Sequence, residues 1–262
     1  FFFKQKTAYE IKECDWSSDV CSSDLSEPLA PMPLSTTADA PGSKGGLMSG
    51  RGGRGRTGLH AQALGLHPER NVIRLQLRQT PLLSELDEKS WLELENMLTV
   101  VDCNKGEYLL HQGVRDMEHY FIVDGLLKRV VANLEAKEMI LRFSDEKEME
   151  TSYAAWCLGT PTPYSIVSVT KARVAKLSMP QWVDFLHRRP TAREAFERYV
   201  MNLMSEIMAH TITLHLLDAP GRVHRFRRKH PEMFNRVPQK ELAAYLNLSA
   251  ETLSRLKQRG KI

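Results

Sequence analysis

The sequence lacks most of what would point to catalysis or a scaffold. Its four cysteines, Cys14, Cys21, Cys103 and Cys157, are too few for a disulfide framework, and none has metal-ligand spacing to another Cys or His. No apolar run approaches the 18 residues of an ordinary transmembrane helix. No nucleophile is paired with a base and no glycine loop could cradle a phosphate, so an enzyme is not expected. His111 and His119 form no His-x-His pair, which disfavours a metal-binding jelly roll. Acidic residues are scarce in one stretch. From Gly221 to Ile262 only Glu232, Glu241 and Glu251 oppose eleven Lys and Arg, so this block carries +8 while the whole chain carries +4. A compact basic block is either a solvated tail or a phosphate-binding surface. Its internal pattern, described below, decides for the second.

The hydrophobic fraction of 42% is low for a fully folded chain of 262 residues, so part of it is expected to be disordered. Residues 1–25, FFFKQKTAYEIKECDWSSDVCSSDL, have no helical period and no signal-peptide core. The string resembles the translated product of sequencing-adapter DNA rather than a gene product, and the native start codon stays open. Residues 26–76 are dominated by Pro, Gly, Ser and Thr and include an RGGRGR run. They read as a disordered low-complexity segment, with nucleic-acid contact by the arginine–glycine run as the alternative.

Folding is expected from residue 77. Leu83, Leu86, Leu94 and Leu98 suggest two short helices, the second starting at Asp87. Short β-rich runs follow at 108–110, 119–123, 126–131, 139–143, 165–169 and 172–177, with Asp124-Gly125 read as a hairpin turn. So many short strands suggest a jelly-roll domain over 77–190. Cys103 and Cys157 read as small buried residues.

A short helix is expected at 180–187 and a long one over 191–219, ended by Pro220-Gly221. Phe196, Val200, Leu203, Ile207, His210, Leu214 and Leu217 alternate by four and three residues, a heptad seam. The seam needs a partner, either the β domain of its own chain or the same helix of a second copy, and homodimerisation is the favoured reading. His210 within it is a register-setting core residue, or a pH sensor.

The basic block, 220–262, contains two helices and a turn. Leu242, Ala243 and Leu246 form the inner face of the first. Asn247 suits a left-handed turn residue and Leu248 plugs the core beneath it. Ser249 is the N-cap of the second helix. Leu253 and Leu256 point inward there, leaving Glu251, Thr252, Ser254 and Arg255 outward. This is a helix-turn-helix, whose second helix enters the DNA major groove.

These residues resemble the helix-turn-helix of the CRP/FNR family of bacterial transcription regulators, with Glu251-Thr-Leu-Ser-Arg255 the most specific string. The resemblance covers about Leu77 to the C-terminus. It implies an α+β chain: a cyclic-nucleotide-binding-type β-roll, a long dimerisation helix and a DNA-binding domain. The sequence stops at Ile262, so the family's β-wing is expected to be short or absent, or the gene fragment to be incomplete. The resemblance implies that Glu251, Ser254 and Arg255 read bases. Gln239, Ser249, Thr252 and Lys257 are placed to hold phosphates, and Arg227 and Lys229 are further phosphate candidates. The expected partners are a near-palindromic double-stranded DNA, a second copy of the chain and RNA polymerase, in a bacterial cytoplasm and on the nucleoid, with no membrane. The candidate effector pocket comprises Glu150, Trp156, Tyr164 and Ser165. The family binds the cyclic phosphate with an Arg-Ser pair, where this chain has Tyr164-Ser165, so cyclic AMP binding is doubtful. The cysteines cannot supply the iron–sulfur cluster of the oxygen-sensing branch, and no metal site is expected. The alternative function is a cyclic-nucleotide-type sensor that regulates a protein partner rather than DNA.

Overall fold

The computed structural model describes residues 60–258 except residue 136. The adapter-like string and most of the low-complexity segment lie outside the described residues. Folding nevertheless starts well before residue 77. Strand β1 (His60–Ala63), a 3-10 turn (Leu64–Leu66) and helix α1 (Arg70–Leu77) occupy part of the segment expected to be disordered. In α1, Ile73 and Leu77 lie one turn apart and are fully buried. Arg74 and Arg78 beside them pair with Glu88 and lie over the ring of Trp91. Arg74, inside the segment expected to be disordered, and Arg78, just beyond it, therefore cover a core.

Helices α2 (Pro81–Ser84) and α3 (Glu88–Met97) follow, with Asp87 capping α3 by accepting from the Ser90 amide at 2.8 Å. The strands β2 (Thr99–Cys103), β3 (Tyr108–Leu110), β4 (Glu118–Asp124), β5 (Leu127–Ala132), β6 (Glu138–Ser144), β7 (Met149–Thr151), β8 (Ser165–Ser168) and β9 (Ala172–Ser178) complete the roll, with helix α4 (Tyr153–Cys157) between β7 and β8. They form two antiparallel sheets, ordered β1-β2-β9-β4-β7 and β3-β8-β5-β6. Tyr120, Ile122, Val174, Leu127 and Ile166 pack in the cluster shared by the two sheets. Phe121, Val123, Ala175 and Leu177 face the helices instead. Strand β4 is thus covered on both faces, which explains its unbroken apolar run.

Asp124-Gly125 is not a hairpin turn, because β4 and β5 lie in different sheets. It is a corner. Gly125 has φ +93°, and a Cβ there would stand 2.4 Å from the Lys171 carbonyl oxygen. The glycine serves close backbone approach as well as turn geometry. The hairpin in this region joins β5 and β6, where Asn133 Oδ1 accepts the amides of Glu135 and Lys137.

Helix α5 (Met179–His187) opens with a capping box between Ser178 and Gln181. The long helix α6 runs Pro190–Leu216, so it stops before Pro220-Gly221. That dipeptide starts the next helix, α7 (Ala219–Lys229), whose cap Asp218 accepts from the Gly221 amide at 2.9 Å. Proline in a first turn loses no hydrogen bond, so it begins a helix as readily as it ends one. Helices α8 (Pro231–Arg236), α9 (Gln239–Tyr245) and α10 (Ala250–Gln258) complete the described chain. Residues 259–262, where a wing would begin, lie outside it. Among the described residues no helix is long and apolar enough to cross a membrane.

Most of the proposed α6 seam packs within its own chain. Phe196 is fully buried and Leu203 nearly so, and Val200 packs against the helical core of the roll. His210 stacks on Tyr245 of α9, with ring centroids 3.8 Å apart. The heptad spacing therefore marks a face covered largely by the chain itself. A different stripe of α6 is uncovered: Met201, Met204, Met208, Ile212 and Leu216 are 48% to 75% exposed.

Candidate nucleic-acid interface

Helices α9 and α10 pack through Leu242, Ala243, Leu246 and Leu253, all nearly or fully buried, with Leu248 and Leu256 partly buried beside them. Asn247 takes φ +52° in the turn, the left-handed conformation that Asn tolerates. The Leu248 amide donates to the Ala243 carbonyl at 2.9 Å, which closes the turn. Ser249 Oγ accepts the Thr252 amide at 3.1 Å and lies 2.9 Å from the Thr252 hydroxyl. Ser249 therefore caps α10, and the two hydroxyls are engaged with each other.

With Leu253 turned inward, Glu251 and Arg255 are left outward and Ser254 is half-buried at their edge. Gln239, Ala250, Glu251, Ser254 and Arg255 line one shallow concave surface. The side chains of Arg255 and Glu251 are 62% and 86% exposed and their charged atoms are 4.0 Å apart. A contact that long and exposed holds neither group strongly. Both are free to reach base edges, Arg toward guanine O6 and N7 and Glu toward cytosine N4. Lys257 is exposed, but its Nζ lies 5.6 Å from the Phe234 ring centre, and the Arg227 guanidinium lies 5.8 Å from the same centre. Lys229 is paired with Glu206 at 3.0 Å, which makes it a weaker phosphate candidate than its sequence position suggested.

The C-terminal helices rest on the roll. Val223, Phe226, Tyr245 and Leu246 join Phe143 and Ile140 of β6 in one apolar cluster. Lys128 of β5 pairs with Glu241 of α9 at 2.9 Å, and Arg236 with Glu146 at 2.6 Å. Helices α7 and α8 were not expected from the sequence. The signal was present, since Val223, Phe226 and His230 recur at helical spacing among the arginines.

Of the candidate effector residues, Glu150 and Tyr164 both meet Arg129 of β5 and Ser165 follows Tyr164 at the start of β8, while Trp156 stands apart. Glu150 is fully buried and bound by Arg129 of β5, whose Nε lies 3.0 Å away. Burial raises its pKa, but Arg129 and Arg142 more than offset this and hold the carboxyl below its ordinary range. The Arg129 guanidinium also lies 4.1 Å from the Tyr164 ring centre, and Tyr164 donates its hydroxyl to the Thr151 carbonyl at 2.7 Å. Ser165 accepts the Gln112 amide at 2.9 Å. Trp156 packs instead with the helical core. Glu150 and Tyr164 are thus occupied by a sheet arginine, which sequence spacing could not assign to them, and Ser165 by the Gln112 amide. Cys103 is buried, as expected, and burial pushes its thiol pKa up to about 12. Cys157 is exposed, contrary to expectation, because α4 turns it outward.

No protein-family model and no curated protein matches the sequence. Solved structures match the fold. The c-di-GMP-responsive global regulator CLP of Xanthomonas campestris shares 14% identity at a TM-score of 0.56, over 66% of this chain and 92% of that one. FixK2 of Bradyrhizobium japonicum shares 16% at 0.53, over 62% and 86%. A CooA variant from Carboxydothermus hydrogenoformans shares 13% at 0.54, over 70% and 84%. At such identities the likeness is one of fold alone, an α+β architecture shared with these three proteins.

Proposed function

We propose that this chain is a sequence-specific DNA-binding transcription regulator of CRP/FNR type that acts as a homodimer. The observation that carries the reading is the solvent-facing surface of α10. It presents Glu251, Ser254 and Arg255 beside Gln239, without a strong internal partner for either charge. Glu251, Ser254 and Arg255 read bases, while Gln239, Ser249, Thr252 and Lys257 hold phosphates. The uncovered stripe Met201, Met204, Met208, Ile212 and Leu216 is the dimer contact, replacing the heptad seam. A two-fold dimer then reads a near-palindrome with half-sites about 34 Å apart, each with a TGA-like core whose guanine faces Arg255. RNA polymerase is the further partner in this reading.

The roll senses an effector other than cyclic AMP, since Glu150, Tyr164 and Ser165 are already bonded within the sheet. No iron–sulfur cluster or other metal takes part. Calorimetry with cyclic AMP is expected to show no binding, and micromolar affinity would overturn that part. Gel shift on the chain's own upstream DNA, at low and moderate salt, tests the main reading. The expected result is a discrete complex that survives the higher salt against competitor DNA. Binding that is absent, or equal for all sequences, rejects it and favours a protein partner. For the dimer, Met208→Glu is expected to convert the chain to monomer in sedimentation velocity, whereas an unchanged dimer would exclude this stripe.

A further inference from the structure

A cavity of about 90 Å³ lies where β6, α6, α7 and α9 meet. It is positively charged. Arg142 of β6 and Arg222, Arg225 and Lys229 of α7 line it, against the carboxylates Glu148 and Glu206. Both carboxylates are already engaged, Glu148 by Arg142 at 2.8 Å and Glu206 by Lys229 at 3.0 Å. Arg222 donates to the carbonyls of Leu217 and Leu246, which neutralise no charge. Arg225 has no carboxylate within ion-pairing distance among the described residues. Two positive charges are thus left over in one small space.

The remaining polar groups agree. Arg222, Arg225 and Lys229 recur at three and four residues, so they share one face of α7. Arg142 is 7% exposed, and its Nη1 is buried with no hydrogen-bond partner among the described residues. A buried guanidinium N–H without an acceptor is costly and marks a place where an acceptor is missing. His210 and His230 also line the space. Burial and the neighbouring cations hold both neutral near pH 7, His210 with a pKa of about 4. By the space one water needs, the cavity offers roughly six water-sized positions. That accommodates a tetrahedral oxyanion but not a whole nucleotide.

We propose that this junctional cavity binds a phosphoryl group, carried by free phosphate or by a small phosphate monoester. Arg222 and Arg225 provide the charge, and the planar guanidinium matches phosphate oxygens through paired N–H donors. The bound anion would tie α7 to α6 and to β6. It would thereby set how the DNA-binding helices sit on the roll, a consequence that rests on the DNA reading, whereas the binding itself does not.

The test is calorimetric titration of the full chain with inorganic phosphate, and separately with glycerol phosphate, at constant ionic strength set with sodium chloride. One saturable site per chain is expected, and the tighter of the two ligands identifies the source. Arg225→Gln is expected to weaken binding about tenfold or more. Arg255→Gln, on the DNA-facing surface, is expected to leave it unchanged while DNA binding falls. Should Arg225→Gln not fold, the histidine ring resonances of the unaltered chain give the same answer. Those of His210 and His230 should move with phosphate and that of exposed His187 should not. Absence of a saturable site, equal affinity in Arg225→Gln, loss of binding in Arg255→Gln, or equal movement of all three histidines would overturn the proposal.

Discussion

Two of the molecule's Arg–Glu pairs, Arg129–Glu150 and Glu251–Arg255, join the same residue types in opposite surroundings. Arg129 and Glu150 lie inside the roll, essentially without solvent exposure, and hold each other through two guanidinium nitrogens. Glu251 and Arg255 lie on α10, mostly exposed and 4.0 Å apart. Burial turns the first pair into structure. Each charge has lost its water and depends on the other, so neither is available to a ligand. Exposure leaves the second pair nearly indifferent to its own contact, so both groups can exchange water for a base edge. The same residue types thus close one site and open the other.

The largest way to break this contrast is Glu150→Ala. It leaves Arg129 buried without its counter-charge and is expected to cost about 3–5 kcal/mol in urea unfolding. A loss below about 1 kcal/mol would mean that the interior pair is not structural. Next comes acid. His119 is fully buried, stacked on Trp182, with neither ring nitrogen partnered among the described residues. Burial lowers its pKa from 6.5 to about 3, so between these values the unfolded chain binds a proton that the folded chain refuses. Stability is therefore full above pH 6.5 and is lost as pH falls toward 3, by about 2 kcal/mol from pH 6.5 to pH 5. His210 adds to the loss in the same direction. His119→Phe is expected to flatten most of this slope in unfolding measurements at the two pH values, and an unchanged slope would place the acid sensitivity elsewhere. Smallest is Glu251→Ala, whose effect on unfolding is expected to stay within about 0.5 kcal/mol. A loss comparable to that of Glu150→Ala would erase the distinction between the pairs.

The C-terminal helices α9 and α10 were legible from local signals. Asn247, Ser249 and the inward leucines act within a few residues of one another, and a turn, a cap and a helical period are all short-range features. The strands of the roll were legible where β-formers cluster, but the pairing was not. Asp124-Gly125 carries the chemistry of a hairpin and serves as a corner because its neighbours belong to different sheets. The closed interior was hidden for the same reason. Arg129 and Glu150 meet only through folding, as do Arg142 and α7 at the cavity. The seam on α6 shows a further limit, since periodicity identifies an apolar face without saying what covers it. Phe196 and Leu203 are buried within the chain, while Met201, Met204 and Met208 are exposed.

The most direct test of the exposed pair as a base reader compares the unaltered chain with Arg255→Ala on a set of half-sites varied one base at a time. The account predicts that the unaltered chain prefers guanine at one position by about 1–3 kcal/mol, and that Arg255→Ala loses this preference while keeping its thermal stability. An identical base preference in the two proteins would contradict it.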